Sequence, residues 1–241
     1  MYNEFAGAKI CALKILESLN EIANKSALII VNDGSVDNTA EELIGLKAAG
    51  FNFIYIEHDV NRGYGKALQS GINYAASKGF EYVLFMDSDL TNNPADIKHF
   101  VGKMNDGFDV IKASRYSLGG GSVGVPLKRV IISRLGNLVA KYLYGLPVAD
   151  CTNGFRAVKM NLLQSLSYRE NGFSIIMEEL YLLQFKTANF ENIPVILYAR
   201  TNELKPSSFI YSFETYWKYI KYPLKSFILR IKAFRVKFFS K

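Results

Sequence analysis

The sequence has few cysteines and no long apolar run, and each absence excludes a class of protein. Its two cysteines, Cys11 and Cys151, stand far apart among 241 residues, with no CxxC pair and no cluster with histidine. A disulfide framework and a zinc site are therefore disfavoured, and a reduced intracellular protein is expected. No apolar run reaches the roughly 18 residues that span a bilayer, and the first residues do not resemble a signal peptide. We therefore expect a cytoplasmic protein.

Two nucleotide-binding motifs are missing where they would be expected. No GxGxxG follows the first predicted strand, and GxxxxGK[ST] does not occur. The glycines of Asn61-Arg-Gly-Tyr-Gly-Lys66 precede a predicted helix but fit neither motif. A nicotinamide-dependent Rossmann oxidoreductase and a P-loop enzyme are therefore disfavoured.

The charge is uneven along the chain. The net charge is +7, and eight lysines and arginines without an acidic residue lie between Trp217 and Lys241. Subtracting these eight leaves residues 1–216 with a net charge of −1. Because the basic character belongs to the C-terminal segment, a nucleic-acid groove across the whole domain is disfavoured.

Short apolar runs alternate with segments of helical periodicity, and 49% of the residues are hydrophobic. This pattern predicts one α/β domain with a mainly parallel sheet. Strands are predicted at Ala27–Val31, Phe51–Glu57, Tyr82–Met86, Asp109–Ala113 and Ile193–Tyr198. Helices are predicted at Ala8–Asn24, Ala40–Ala49, Lys66–Ser77, Pro94–Met104, Lys128–Tyr144 and Met177–Thr187. Ser117–Val125 contains four glycines and is predicted to be a mobile loop.

Asp87 and Asp89 directly follow the most apolar predicted strand. Ligands of open α/β sheets bind at the carboxyl ends of the strands, so both carboxylates are expected to face that crevice. Hard oxygen ligands of this kind suit Mg²⁺ or Mn²⁺ beside a diphosphate. The alternative is an Asp-rich turn that caps the helix after Pro94.

Other polar residues are expected near the same crevice. Asp33 ends another predicted strand, where its carboxylate can accept hydrogen bonds from a nucleoside, or simply stabilise a turn with Gly34. Arg115 and Arg129 flank the glycine-rich loop, and guanidinium groups suit phosphate, although single arginines are more often solvated. The two histidines, His58 and His99, fit no triad or metal spacing and are assigned no role.

Taken together, the motifs resemble glycosyltransferase family 2, and within it the dolichyl-phosphate mannosyltransferase (polyprenyl-phosphate glycosyltransferase) branch. The resemblance covers roughly residues 2–210, and six motifs in one order make it specific. They are Tyr2-Asn-Glu4, Val31-Asn-Asp-Gly-Ser35, Asn61-Arg-Gly-Tyr-Gly65, Asp87-Ser-Asp89, Ala113-Ser-Arg-Tyr116 and Asp150-Cys-Thr-Asn-Gly-Phe-Arg156.

The resemblance implies a single GT-A (Rossmann-like) domain and a role for each matching residue. It places Asp87 and Asp89 as the DxD metal pair, with Asp89 the more direct ligand. Catalytic roles are implied for Asp87, Asp89, Arg115, Arg129 and Glu178, with the two arginines on phosphates and Glu178 near the acceptor. Substrate contacts are implied for Glu4, Asp33, Gly65, Asp150, Arg156, Arg200, Lys205, Ser207 and Ser208, although Pro206 interrupts the last of these matches.

Three positions depart from the family pattern. Asn32 stands where the family often has a first aspartate, and Thr91 stands where this branch often has a glutamine that assists the metal. The third departure is the start, since Met1-Tyr-Asn-Glu4 lacks the strand that precedes this motif in the family. We therefore expect the first family strand to be missing from the sheet, because the true start lies upstream or because the chain is remodelled or defective.

The C-terminal segment, residues 211–241, is expected to be distinct from a catalytic domain at residues 1–210. It interleaves aromatic and aliphatic residues with lysine and arginine at helical spacing, with a kink or break at Pro223. A basic amphipathic helix of this kind suits an anionic membrane surface. The alternatives are a helix packed on the domain and a helix that binds a partner protein, including a membrane protein.

These features predict a metal-dependent, inverting transfer of a hexose from a GDP- or UDP-sugar to a polyprenyl or dolichyl phosphate. The enzyme would lie at the inner face of the cytoplasmic membrane. A sugar hydroxyl acceptor, as in cell-surface polysaccharide synthesis, would instead require a carboxylate base, with Asp150 or Glu178 as candidates. A non-catalytic relic that binds nucleotide-sugar at the membrane is the alternative from another class.

Overall fold

The computed structural model describes residues 1–23, 25–200 and 212–239. The helices of this part are α1 (Phe5–Asn20), α2 (Thr39–Ala48), α3 (Tyr64–Ser77), α4 (Ile97–Asn105), α5 (Leu127–Tyr144), α6 (Met160–Gln164), α7 (Ile175–Leu183) and α8 (Phe213–Phe239). The strands are β1 (Ile29–Asn32), β2 (Ile54–Glu57), β3 (Tyr82–Phe85), β4 (Val110–Ser114), β5 (Gly121–Val123), β6 (Arg156–Lys159), β7 (Phe190–Pro194) and β8 (Ile196–Tyr198). The α/β alternation predicted from the apolar runs is confirmed.

The central sheet is mixed rather than mainly parallel. Its four-stranded part has the order β3-β6-β4-β7, in which β6 runs antiparallel to both β3 and β4. The sequence analysis missed β6 because its four residues are Arg-Ala-Val-Lys, with a charge at each end. The glycine-rich segment predicted as a loop contains β5, which pairs with β8. The predicted strand at 193–198 is divided between β7 and β8.

β1 and β2 form a separate parallel pair that is not hydrogen-bonded to β3. A cavity of about 1000 Å³ lies between β1 and β3 and opens at their carboxyl ends. No strand precedes β1 in the part of the chain that the structure describes. The cavity therefore separates the β1–β2 pair from the four-stranded sheet.

α8 packs on the body of the protein and is assigned without a break through Pro223. It contacts α5 and α7, and it buries Tyr222 and Ser226. Lys221 and Tyr222 both donate hydrogen bonds to the carboxylate of Glu170. Among the described helices, none is both long and apolar enough to cross a membrane.

Candidate active site

The carboxyl ends of β1 and β3 form the polar mouth of the cavity. Asp33 follows β1 directly, and Asp87 and Asp89 follow β3. These three carboxylates line the mouth together with Glu4 and Arg200. The three carboxylates that the strand-end argument placed at one crevice therefore lie together, although the strands belong to separate sheets.

Asp33 is buried and holds together two segments of the cavity wall. Its Oδ1 is 2.6 Å from Nδ1 of His58 and accepts the N–H of Arg62, while its Oδ2 accepts the N–H of Gly63. The other ring nitrogen of His58 lies 2.9 Å from Oγ of Ser70 on α3. His58 was assigned no role from the sequence, since its 25-residue separation from Asp33 is not a recognisable spacing.

Asp87 lies deeper in the cavity, beside Tyr64 and Gly154. The Tyr64 hydroxyl donates to Oδ1 of Asp87 over 3.0 Å. Burial, together with the neighbouring charge of Asp89, raises the pKa of the Asp87 carboxyl. A Cβ added at Gly154 would lie 2.8 Å from Oδ2 of Asp87, so a side chain there would require this carboxylate to move.

Asp89 is held on both of its oxygens. Its Oδ1 accepts the Thr91 hydroxyl at 2.7 Å, and its Oδ2 accepts Nε of Arg200 at 2.9 Å. A terminal nitrogen of Arg200 also lies 3.9 Å from Glu4. The guanidinium of Arg200 therefore supplies positive charge where the cavity carboxylates converge.

Asp87 and Asp89 fit a divalent cation by their chemistry. Two carboxylates that disfavour each other's charge in a partly buried site are stabilised by a cation between them. No cluster of three or more metal-binding side chains occurs in the described ranges. Mg²⁺ commonly takes one or two protein carboxylates and completes its shell with phosphate and water, so a pair is sufficient.

Arg115 and Asp150 form a bidentate ion pair. Nε and a terminal nitrogen of Arg115 donate to the two Asp150 oxygens at 2.6 and 2.8 Å. Asp150 is fully buried, and its loop is fixed by Asn137 of α5, which accepts the N–H of Cys151. Arg129 is exposed in the first turn of α5.

Arg156 is also held inside the protein. It pairs with Glu179 through two hydrogen bonds and donates to the carbonyl of Gly154 at 2.8 Å. Arg156 and Glu179 are both about 1% exposed, and the guanidinium stacks 4.3 Å from the Phe85 ring. This geometry gives Arg156 an architectural role behind the Asp87 site.

Glu178 supports the loop at 169–171, which precedes Gly172 and Phe173 of the cavity wall. Its carboxylate accepts the backbone N–H groups of Arg169 and Glu170. The same loop contacts the start of α3, since Gly65 N–H donates to the Asn171 carbonyl at 2.6 Å. A Cβ on Gly65 would approach the Glu170 carbonyl to 2.4 Å. Gly65 is therefore required for close backbone packing.

Two aromatic residues of the site were given no role in the sequence analysis. Tyr64 reaches Asp87 with its hydroxyl and lies 4.8 Å from the Phe173 ring. Tyr219 of α8 also lines the cavity, so the C-terminal helix contributes to the site. The predicted contacts at Lys205, Ser207 and Ser208 lie outside the described residues.

The chain belongs to glycosyl transferase family 2. The family model for glycosyl transferase family 2 matches residues 1–167. The chain is therefore a family 2 glycosyltransferase, and its fold is the GT-A type.

Two relatives show which members of the family the chain resembles. The chain is 26% identical over 140 residues to a polyprenol monophosphomannose synthase of Mycolicibacterium smegmatis, covering 58% of this chain and 53% of that protein. It is 26% identical over 166 residues to an undecaprenyl-phosphate mannosyltransferase of Micrococcus luteus, covering 68% and 66%. The matches thus span between half and two thirds of the relatives' length.

Among solved structures, a glucosyl-3-phosphoglycerate synthase from Mycobacterium tuberculosis is similar in fold. Its complex with Mn²⁺, UDP and glucosyl-3-phosphoglycerate superposes with a TM-score of 0.64 over 94% of this chain and 77% of that one. At 20% sequence identity, this likeness supports the fold alone.

Proposed function

We propose that the protein transfers a hexose from a nucleotide-diphospho-sugar to a polyprenyl phosphate at a membrane surface. The observation that carries this proposal is an exposed apolar face on α5 that is flanked by basic residues. Relatives at 26% identity are named for transfer to polyprenol or undecaprenyl phosphate, which agrees with it.

The donor site is built from the cavity carboxylates and the loop that follows β2. Asp33 uses three hydrogen bonds to hold His58 and the Arg62–Gly63 backbone. A carboxylate has about four acceptor positions, so one remains for a nucleoside. Glu4 lies at the same mouth.

Asp87 and Asp89 would hold Mg²⁺ or Mn²⁺, and the cation would neutralise the diphosphate of the departing nucleotide. Tyr64 and Thr91 fix the two carboxylates by donating hydrogen bonds to them. Arg200 adds a second positive charge at the same mouth. In an inverting transfer, the bond from the sugar C1 to the diphosphate oxygen breaks while an acceptor oxygen bonds to C1 from the opposite face.

The surroundings of the two candidate bases, Asp150 and Glu178, indicate which kind of acceptor the site favours. Asp150 is fully buried and paired with Arg115, and Glu178 is buried and occupied by the backbone of Arg169 and Glu170. Neither is placed to remove a proton from a sugar hydroxyl. A phosphate acceptor is already anionic at neutral pH and requires positioning instead of deprotonation. This favours a polyprenyl phosphate.

α5 presents an apolar face to solvent. Its side chains at helical spacing are strongly exposed, and they are Leu127 at 72%, Ile131 at 50%, Leu135 at 58%, Leu138 at 64% and Tyr142 at 71%. Contiguous apolar patches of this kind mark interaction surfaces in soluble proteins. Exposed basic residues, Lys128, Arg129, Arg134 and Lys141, flank the face. An apolar face with flanking cations matches the interface of an anionic bilayer.

α8 extends the same kind of surface. Trp217 is 54% exposed and Ile228 is 50% exposed, while Tyr222 anchors the helix to the body. The basic C-terminal segment and α5 would then contact one bilayer together. A polyprenyl phosphate, whose chain stays in the membrane, would reach the crevice from that side.

The experiment compares two pairs of substitutions in liposome sedimentation. Leu135→Gln combined with Leu138→Gln removes two apolar side chains from the α5 face. We expect this double variant to partition onto anionic vesicles at least roughly tenfold less than the wild type. Ile10→Gln with Ile44→Gln changes residues of similar exposure on α1 and α2 and should leave partitioning unchanged.

Activity is measured in the same vesicles with GDP- and UDP-hexoses. The proposal is supported if hexose is incorporated into polyprenyl phosphate and if the two α5 substitutions, but not the two control substitutions, reduce this incorporation. Transfer to a soluble sugar hydroxyl without vesicles would contradict it and would favour polysaccharide synthesis.

A further inference from the structure

Aromatic rings from three separate elements line the cavity beside Asp87. Tyr64 begins α3, Phe173 lies just before α7, and Tyr219 belongs to α8. The Tyr64 and Phe173 ring centroids are 4.8 Å apart, and the Tyr64 hydroxyl donates to Asp87. Burial and, to a smaller extent, the charge of Asp87 raise the pKa of the Tyr219 hydroxyl, so this ring also lies near the Asp87 carboxylate. We call Tyr64, Phe173 and Tyr219 the aromatic wall.

Contacts outside the cavity fix the position of α8 in this wall. Tyr222 follows Tyr219 by three residues on the same side of the helix, is 5% exposed, and donates to the carboxylate of Glu170. Glu170 precedes Phe173 by three residues, and its second oxygen accepts the Ser174 hydroxyl at 2.6 Å. One carboxylate therefore joins α8 to the segment that carries Phe173, so the two rings are held in place before any ligand binds.

The charged groups of the crevice lie in the order along which a donor would extend. Arg200 reaches Asp89 and Glu4 on one side. The aromatic wall lies at Asp87. A nucleotide-diphospho-sugar bound through its diphosphate at Asp87 and Asp89 would direct its nucleoside towards Glu4. Its hexose would then lie against the aromatic wall.

The aromatic wall combines apolar ring faces with polar edges, as a sugar requires. One face of a pyranose presents mainly C–H groups, which pack against the partly negative face of an aromatic ring. Its hydroxyls remain at the edge, where the Tyr219 hydroxyl and the Asp87 carboxylate can form hydrogen bonds with them. A phosphate would meet the negative ring faces and the Asp87 charge, which disfavours a phosphate there. An isoprenoid chain would cover both polar groups without pairing with them.

We propose that Phe173 and Tyr219 form the hexose subsite of the donor, so that α8 completes the substrate site. This inference rests on the nucleotide-diphospho-sugar donor proposed above and does not depend on the acceptor. Both residues lie beyond residues 1–167, which the family model matches. The subsite therefore follows from the geometry of this chain and not from the family match.

The experiment compares the binding of GDP-mannose and UDP-glucose with that of GDP and UDP by titration calorimetry in Mn²⁺. Phe173→Leu combined with Tyr219→Leu removes both ring faces and keeps apolar side chains. We expect the affinity of this double variant for the nucleotide-hexose that the wild type binds to fall at least roughly tenfold. Its affinity for the corresponding nucleoside diphosphate should change by less than about twofold.

Two single variants serve as controls for the loss of a ring. Tyr219→Phe keeps the ring and should bind the nucleotide-hexose within about threefold of the wild type, whereas Tyr219→Leu should bind it less tightly. Phe185→Leu removes a ring that is 58% exposed and lies outside the cavity lining of the described residues. It should leave both affinities unchanged. If Tyr219→Phe loses as much affinity as Tyr219→Leu, packing against the ring is not the cause and the proposal is overturned.

A measurement on the wild type keeps the inference testable if a leucine variant folds poorly. Hydrogen exchange of the backbone amides at 216–222 should slow at least about threefold more with the nucleotide-hexose than with the nucleoside diphosphate, because the hexose adds a contact to α8. Equal protection of these amides by both ligands would overturn the proposal.

The remaining outcomes separate this inference from the donor proposal. If the wild type binds neither nucleotide-hexose, the donor proposal fails and the hexose subsite fails with it. If the wild type binds one of them and the double variant binds it as tightly, only the hexose subsite fails. An equal loss of affinity for the nucleotide-hexose and the nucleoside diphosphate would assign the aromatic wall to the nucleoside. A change confined to the KM for polyprenyl phosphate would assign it to the acceptor, and either result would also overturn the hexose subsite.

Discussion

Carboxylates occur in two groups that differ in what surrounds them. The cavity group, Glu4, Asp33, Asp87 and Asp89, lies at the carboxyl ends of β1 and β3 and lines the open crevice. The interior group, Asp150, Glu178 and Glu179, lies around β6 and α7 and is buried. Each interior carboxylate is occupied by a guanidinium or by backbone N–H groups.

The difference in surroundings indicates that the interior carboxylates stabilise the fold, whereas the cavity carboxylates are available to a ligand. A buried carboxylate with every oxygen satisfied stabilises the fold and has little left for a ligand. Asp87 and Asp89 instead disfavour each other's charge and face a cavity, which is the arrangement expected of a ligand site. Substitutions in the interior group should therefore lower the free energy of unfolding, whereas substitutions in the cavity group should lower activity.

The largest expected effect is on the interior pair of Arg156 and Glu179. Glu179→Ala leaves a buried guanidinium without its counter-ion, so the free energy of unfolding should fall by about 3–5 kcal/mol. Urea denaturation followed by circular dichroism measures it. Arg156→Met combined with Glu179→Met should lose less, because no charge is left unpaired. A loss under about 1 kcal/mol for Glu179→Ala would remove this residue from the stabilising group.

Asp89→Asn tests the cavity group. The substitution keeps the shape and removes the charge, so kcat/KM for transfer should fall at least about a hundredfold. Unfolding should change by less than about 1 kcal/mol, because Asp89 is partly exposed. Chelation of divalent ions by EDTA should lower the kcat/KM of the wild-type enzyme by a similar factor. Full activity in EDTA, or near-normal turnover of the variant, would contradict the metal assignment.

His58 tests whether Asp33 depends on its partner. We expect His58→Ala to weaken nucleotide binding roughly tenfold, about 1.4 kcal/mol, because the Asp33 carboxylate loses the ring that orients it. Titration calorimetry with GDP and UDP measures the change. His99→Ala is the control, since that side chain is 55% exposed. If His58→Asn, which can still donate to Asp33, binds as weakly as His58→Ala, the positioning role is wrong.

The smallest expected effects separate the two arginines. Arg129→Lys keeps a charge on exposed α5 and should lower transfer to polyprenyl phosphate about threefold to tenfold without changing unfolding. Arg115→Lys loses the bidentate pair with Asp150 and should lower stability by about 1–2 kcal/mol as well. Paired activity and urea measurements on both variants check this. If the two lysine variants behave alike in both assays, the distinction between interior and surface arginine fails.

The sequence allowed the cavity group to be predicted because position along a strand determines it. Asp33, Asp87 and Asp89 each follow an apolar run, and strand ends converge in this class of fold. The interior group could not be separated by the same reasoning. Glu178 and Arg156 match family motifs, but whether they face a ligand depends on α7 and on the loop at 169–171, which are distant in sequence. His58 was missed for the same reason, since its partner is set by tertiary contact.

The fold was predictable where periodicity was clear and not where charge interrupted it. β3 is an apolar run, and β4 is apolar apart from Lys112 and Ser114; both were predicted close to their observed bounds. β6 carries Arg156 and Lys159, whose charges are accommodated by Glu179 and Asp109. Local sequence does not contain those partners, so the antiparallel strand and the resulting mixed sheet required the structure.

The contact of Glu170 with α8 has a thermodynamic consequence. Lys221 and Tyr222 bind the Glu170 side chain, and the carbonyl of the next residue, Asn171, accepts the N–H of Gly65. A continuous set of contacts therefore joins the C-terminal helix to Gly65 at the start of α3, next to the loop proposed to bind the donor. Linkage requires that any factor by which a bilayer changes nucleotide affinity equals the factor by which nucleotide changes bilayer affinity. Nucleotide binding at the proposed donor site and binding of the protein to a membrane surface would then be thermodynamically coupled.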